Sequence, residues 1–217
     1  MTKTISRLYN SYDRAAQAVQ DLEAAGVARS DISIVANNSD NWYSSNGGTT
    51  TNGGTTTNGG AKRVDRDRDG VDDRAEGAGK GAGVGAAVGG TAGLLAGLGL
   101  LAIPGVGPVV AAGWLVATAA GAAAGGLTGG IIGALTQAGV SEEDAHVYAE
   151  GVRRGGTLVT ARVDDRSAAQ LEATLERSAL RTNDLRSTYG KSGWKTFDPG
   201  AKPYSADEVR RERALYQ

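Results

Sequence analysis

The chain has 217 residues, with 23 Lys+Arg against 24 Asp+Glu, a single His and no Cys. The near-zero net charge excludes a global field of the kind that gathers nucleic acid. The missing Cys excludes disulfides and Cys-based zinc or redox centres, and one His leaves little for a metal site or a catalytic triad. Gly, at 34 residues, is more than twice as frequent as the roughly 7% of an average protein, while Pro stands at 4. The excess is concentrated in one region, and its spacing there carries most of the argument.

The opening residues are polar and lack the apolar run of a signal peptide, so the ends are expected to begin in the cytoplasm. Ile5 and Leu8 mark a short strand closed by Asn10-Ser11, a helix start. Ala15, Val19 and Leu22 at helical spacing predict a helix over 12–25, and Gly26-Val27 reads as its Schellman stop. The β-branched run Ile32-Ser33-Ile34-Val35 predicts a second strand. Residues 37–61 then repeat Asn-Gly-Gly-Thr-Thr-Thr from Asn46 and Asn52, with nothing apolar to offset the cost of ordering the backbone, and read as a flexible linker.

Residues 62–74 are densely charged, and from 81 to 141 there is no charge at all. Within residues 77–138, Gly77, Gly81, Gly85, Gly89, Gly93 and Gly97 fall every fourth position, a single row along one face of a helix. A second row runs Gly113, Ala117, Gly121, Gly125, Gly129 and Gly133. Between them Pro104, Gly105, Gly107 and Pro108 break the helix and permit a tight reversal, so the rows are expected on the two arms of an antiparallel helical hairpin. Gly inside a helix costs about 0.5–1 kcal/mol relative to Ala, which only close helix-on-helix packing offsets. The arms are long enough to span a bilayer. Their bulky residues gather near the turn, and the first arm's insertion energy is marginal, about −2 to −5 kcal/mol before the glycine penalty. Three outcomes stay open: a two-pass transmembrane hairpin, a re-entrant wedge inserted by its tip, and a soluble hairpin sealed in a homo-oligomer. In a spanning arrangement the flanking bases, Lys62 to Lys80 before and Arg153-Arg154 after, keep both termini cytoplasmic.

Beyond the hairpin, Ser141-Glu142-Glu143-Asp144 opens a helix with Ala145, Tyr148, Ala149 and Val152 on its apolar face, ending at Gly155-Gly156. A strand over 157–163 follows, then a helix over 167–178 and a short last strand near 185–188. The tail from Gly190 holds Trp194, Phe197 and a short charged helix over 205–215, free either to dock or to stay mobile. Neither outer piece, 1–36 or 139–190, buries a core alone. Together they predict an α+β domain, a small split ferredoxin-like sandwich interrupted by the glycine-zipper hairpin.

Just before the first row, Asp65, Asp67, Asp69, Asp73 and Glu76 occupy positions 1, 3, 5, 9 and 12 of an EF-hand-like loop with Gly70 at position 6, a pattern that would hold calcium. The plainer reading is a solvated charge run beside the uncharged segment. Other motifs fail. Gly97-x-Gly99-x-x-Ala102 lies inside an apolar stretch without the acidic partner of a dinucleotide fold, and Gly190-Lys191-Ser192 lacks the first glycine of a phosphate loop. His146, with Glu142, Glu143 and Glu150 at helical spacing, reads as a solvated surface residue, and Asn37-Asn38-Ser39 as an accidental glycosylation sequon. No nucleophile–base pair is readable, so no enzyme and no small-molecule substrate is expected.

Three stretches resemble a bacterial family, the general stress protein 17M-like or low-temperature-induced glycine-zipper membrane proteins. They are the opening strand and helix with Gly26-Val27 and Asp31-Ile32-Ser33-Ile34-Val35, the motif Leu100-Leu101-Ala102-Ile103-Pro104-Gly105-Val106-Gly107-Pro108, and Gly139-Val140-Ser141-Glu142-Glu143 with Tyr148 and residues 151–159. The resemblance implies stress-associated expression and contact with membrane lipid, without an established reaction or ligand. The expectation is a non-enzymatic homo-oligomer at a membrane, the alternative a soluble self-assembling or binding module with a calcium loop at 65–76.

Overall fold

The computed structural model describes residues 2–44, 48–49, 99–116, 118 and 130–216. Strand β1 (Thr2–Tyr9) leads into helix α1 (Tyr12–Ala24), whose first turn is capped by Ser11 accepting from the Arg14 N–H. Gly26, at φ +91°, turns the chain out of the helix, and the Val27 N–H closes back on the Leu22 carbonyl at 3.0 Å, as the Gly-Val pair predicts. Strand β2 (Ile32–Asn37) follows, then a two-stranded ribbon, β3 (Tyr43–Ser44) with β4 (Gly48–Thr49). Later come β5 (Gly99–Ile103), β6 (Gly107–Ala112), α2 (Gly130–Gln137), α3 (Glu142–Arg153), β7 (Thr157–Asp164), α4 (Asp165–Glu176), α5 (Thr182–Lys191) and α6 (Ala206–Ala214).

The main sheet has the order β1-β7-β2-β6-β5, and every neighbouring pair is antiparallel. Strands β1 and β2 are therefore parallel, with β7 inserted between them, the split βαβ arrangement expected from the order of elements. On the outer side of β1 the described residues add one antiparallel bridge, Leu8 with Leu180. The expected strand near 185–188 is helix α5 instead. Leu185 and Tyr189 sit four residues apart and are both buried, a helical spacing that outweighs the short β-like stretch.

The strand alternation divides the apolar residues between two cores. Ile5, Ile34, Val110, Val159 and Val163 face α1 and α4, meeting Val19, Leu22, Leu171 and Leu175. Leu8, Val35, Val109, Ala111 and Leu158 face the opposite way, toward Leu135 of α2, Tyr148 and Val152 of α3, and Leu185 and Tyr189 of α5. The result is a layer of helices on each side of the sheet.

The largest departure from expectation lies at 99–112. These residues form a β-hairpin in the sheet, not the facing ends of two helical arms. A run such as Val109-Val110-Ala111 is apolar on both sides, so periodicity alone cannot distinguish a buried strand from a buried helix. Tertiary pairing decides: Val109, Val110, Ala111 and Ala112 are in register with Asn37, Ala36, Val35 and Ile34 of β2. Pro104, Gly105, Gly107 and Pro108 do reverse the chain, but between strands. A helix resumes at Trp114 and is present again in α2. Among the described residues no helix is long and apolar enough to cross a membrane.

Of the two glycine rows, Gly77, Gly81, Gly85, Gly89, Gly93, Gly97, Gly121, Gly125 and Gly129 lie outside the described residues, as do Asp65, Asp67, Asp69, Asp73 and Glu76. Gly113 is not on a helix face. It ends β6 at φ +96°, and a Cβ there would stand 2.3 Å from the Ile32 carbonyl oxygen and 2.5 Å from Ser33 Oγ. Gly133 is helical, and a Cβ on it would meet nothing within 4 Å. The helical glycine that does permit close approach is Gly151 of α3, whose added Cβ would lie 2.2 Å from Leu8 Cδ2 on β1. Gly133→Ala should therefore raise stability by about 0.5–1 kcal/mol through helix propensity alone. Gly151→Ala should lower it by about 1–3 kcal/mol through overpacking. Urea denaturation of the two variants measures both signs, and a loss at Gly133→Ala would mean that something packs on that position.

Candidate functional site

The hairpin between β5 and β6 closes as a type II turn: the Val106 N–H donates to the Ile103 carbonyl at 3.0 Å, Pro104 sets the first corner and Gly105, at φ +74°, the second. The turn is apolar and partly covered, with Ile103 7% and Val106 0% exposed while Pro104 and Pro108 face outward. Its cover is the C-terminal segment. A Cβ on Gly105 would stand 2.7 Å from the Asp198 carbonyl oxygen and 2.9 Å from Phe197 Cζ, and one on Gly107 2.8 Å from Pro203 Cβ. Phe197 is buried in the same core as Val106 and Val109. Beyond it Ser205 and Glu208 form a reciprocal capping box that starts α6, and Val209 of that helix is fully buried against Gly155.

A polar seam joins this tail to the end of α3. Glu150, fully buried, accepts from Arg154 Nε at 2.6 Å and from Arg153 Nη1 at 3.2 Å. Arg154 also pairs with Glu212 at 3.1 Å and lies 4.4 Å over the Tyr189 ring, while Arg153 lies 4.7 Å over Tyr204 and donates to the Lys202 carbonyl. Burial opposes the Arg154 charge, but its hydrogen bond to Glu150 and the surrounding carboxylates hold the guanidinium above its ordinary range. Arg213 of α6 ties three points together: Asp40 at 2.7 Å, the Gly155 carbonyl at 2.7 Å and the Asn37 carbonyl at 3.4 Å. Asn37, expected at the start of a flexible linker, is fully buried and donates to the Arg153 carbonyl. Residues 37–43 are thus anchored: the Asn38 amide bonds the Tyr43 backbone both ways, and Trp42 donates to the Asn37 carbonyl.

Two surface clefts lie elsewhere on the described residues. One, of about 590 Å³, lies on the outer side of β1, lined by Arg7, Tyr148, Glu176 and Thr182 among others. Its polar groups are engaged with one another: Arg7 Nη1 and the Tyr148 hydroxyl both donate to the Ser6 carbonyl at 2.8 Å, and Arg7 Nη2 binds Glu176 at 2.6 Å. These donors blunt the free edge of β1. The second, of about 500 Å³, lies between the C-terminal end of α1 and the start of α4. His146 binds Thr196 Oγ1 through Nδ1 at 3.0 Å, a tie from α3 to the tail. No nucleophile stands beside a base at either cleft, and among the described residues no cluster of three or more His, Asp or Glu could hold a metal ion.

The turn residues Pro104, Gly105, Gly107 and Pro108 are thus brought together with the tail. The sequence places Glu150 beside a solvated His146 and Arg154 among the bases flanking the uncharged segment, and does not show that the two form a buried pair. Their signal was present, an acid followed at i+3 and i+4 by two arginines and a Gly-Gly stop, but such spacing is common on solvated helices. No family model, no curated protein and no solved structure matches the chain.

Two outcomes follow from the seam. Glu150→Gln leaves Arg153 and Arg154 without their shared carboxylate and should cost about 3 kcal/mol in urea denaturation. Burial raises the pKa of Tyr189, Tyr204 and Tyr216, and burial with Tyr43 and Asp13 nearby raises Tyr12 to about 12. The fold favours the neutral phenols, so this stability is complete below about pH 10 and lost as pH rises through the folded-state values. Tyrosinate absorbance and circular dichroism followed together above pH 10 should change in concert.

Proposed function

We propose that this chain is a non-enzymatic, stress-associated membrane protein, in which the first glycine row packs helix on helix and drives homo-oligomerisation at the bilayer while the α+β domain stays on the cytoplasmic face. The observation that supports this most is the absence of any charge between residues 81 and 141 together with the unbroken spacing of Gly77, Gly81, Gly85, Gly89, Gly93 and Gly97. Stress-associated expression is the implication of the family resemblance. The β5–β6 hairpin belongs to the domain, so the bilayer contact falls to the first glycine row and to the apolar turn. Carbonate washing of native membranes should leave the protein in the pellet, and release into the supernatant would overturn the reading. Gly89→Leu with Gly93→Leu should reduce oligomer size, read by light scattering in detergent, without altering the far-ultraviolet circular dichroism of the domain.

A second reading, a soluble self-assembling or binding module, is favoured by the spacing of Asp65, Asp67, Asp69, Gly70, Asp73 and Glu76. In it the loop takes calcium and the first glycine row seals a helical interface. Titration calorimetry with calcium up to millimolar concentration should give a heat of binding that Asp65→Asn with Asp67→Asn abolishes; no heat from the unaltered chain removes the calcium arm.

A further inference from the structure

We propose that the outer edge of β5 docks a second copy of this chain, the two β5 strands pairing antiparallel about a two-fold axis at Leu101. The groups that pair follow from the ladder between β5 and β6. In an antiparallel pair, two facing residues exchange both of their backbone hydrogen bonds or neither. Ala102 faces Pro108, which has no N–H, and the Pro108 carbonyl accepts from the Asn38 N–H at 2.9 Å on the other side of β6. Ala102 therefore exchanges no bond with β6, and by alternation neither does Leu100, which faces Val110. The N–H and C=O groups of Leu100 and Ala102 point the other way, to the edge at which the sheet ends among the described residues.

The two edges of the sheet differ in chemistry. On β1 the Ser6 carbonyl takes Arg7 and Tyr148, the Leu8 carbonyl takes the Leu180 N–H, and Lys3 pairs with Glu172. On β5, Gly99 to Ile103 carry no charge and no Pro, and their register with β6 runs without a bulge. Gly99, Leu100 and Ala102 are exposed, and Leu100, at 44%, is one of two exposed large apolar side chains among the described residues. An apolar edge with none of the usual guards is a template for another strand. The like strand fits it. An axis at Leu101 sets Leu100 of each copy opposite Ala102 of the other, so both facing pairs exchange their two bonds and each large side chain meets a small one. A charged strand would set like charge near like across such an axis, and β5 has none to oppose its own copy. Five residues make a short contact, so the pairing is weak and depends on concentration. It uses neither the glycine row nor the bilayer, and does not rest on the membrane reading above.

The chain has no Cys of its own, so introduced thiols report a single contact. Full-length Leu100→Cys and Ala102→Cys chains, mixed under reducing conditions and then oxidised, should form the mixed disulfide dimer at least five times faster than either homodimer. Facing residues have Cα atoms about 5.5 Å apart, within bridging distance, whereas residues of the same number lie two positions out of line. Thr4→Cys on the opposite edge sets the collisional rate. Mixed dimers no faster than homodimers, or no faster than Thr4→Cys, overturn the proposal. Hydrogen exchange of a peptide covering 99–103 in the unaltered chain should slow at least fivefold from dilute to concentrated protein. Equal protection at every concentration, with no mixed disulfide, would mean that the edge is covered within one chain and overturns the second copy as its occupant. Gly89→Leu with Gly93→Leu in both Cys chains should leave the mixed dimer in place. Its loss there would overturn the edge as a contact of its own and leave the glycine-row reading standing.

Discussion

Everything in this fold depends on the pairing of β2 with β6. All six residues of β2 are buried, Ile32 to Asn37, and a strand buried on both faces cannot serve as an edge. Pairing with β7 covers one side, and β6 covers the other. The stretch that reads as an insertion between two half-domains therefore completes the core of both. Val109 and Ala111 enter one core and Val110 the other, so the hairpin contributes to the apolar layers above and below the sheet. Gly113 shows how closely the chain is drawn in. It passes so near Ser33 that only hydrogen fits, and two residues later Ser33 Oγ accepts the Leu115 N–H at 2.9 Å, satisfying a donor at the start of the next helix.

The outer elements were legible because local chemistry and tertiary packing agree there. Ser11, Ser141 and Ser205 each cap the helix that follows, Gly26 stops α1, and β7 and α4 fall within a few residues of their predicted bounds. The hairpin was not legible because its residues satisfy two readings at once. Gly99, Leu100, Leu101 and Ala102 continue an apolar, glycine-spaced stretch, and nothing within that stretch states that β2 needs a partner. That information lies in residues 32–37, whose unbroken burial is a property of the assembled sheet. The buried Glu150 was missed for a related reason: a carboxylate beside two arginines looks like a solvated pair until Tyr189, Tyr204 and α6 close over it.

The tail shows how a charged segment can act as part of a core. Six of the nine residues of α6 are charged, yet Val209 reaches full burial and Arg213 reaches the backbone of Gly155 and Asn37. The arginines serve here as planar spacers that stack on tyrosines and reach carbonyls, a role for which lysine is a poor substitute. The tail also contributes apolar side chains, with Phe197 and Val209 buried and Trp194 and Tyr216 packed against the same core.

Magnitudes also decide what form a membrane contact can take. A two-pass hairpin would require Ile103, Val109, Val110 and Leu115 to leave the cores in which they are 0–7% exposed. At about 1.5–3 kcal/mol for each buried side chain, that withdrawal costs about 6–12 kcal/mol before any loss of strand hydrogen bonds. Insertion of the first arm alone returns about 2–5 kcal/mol before the glycine penalty. Burial in the two cores and the hydrogen bonds of the β2–β6 pairing both oppose withdrawal of these strands. Whatever meets the hairpin without dismantling the β2–β6 pairing meets it at the turn, where Pro104 and Pro108 are exposed, or along the outer edge of β5.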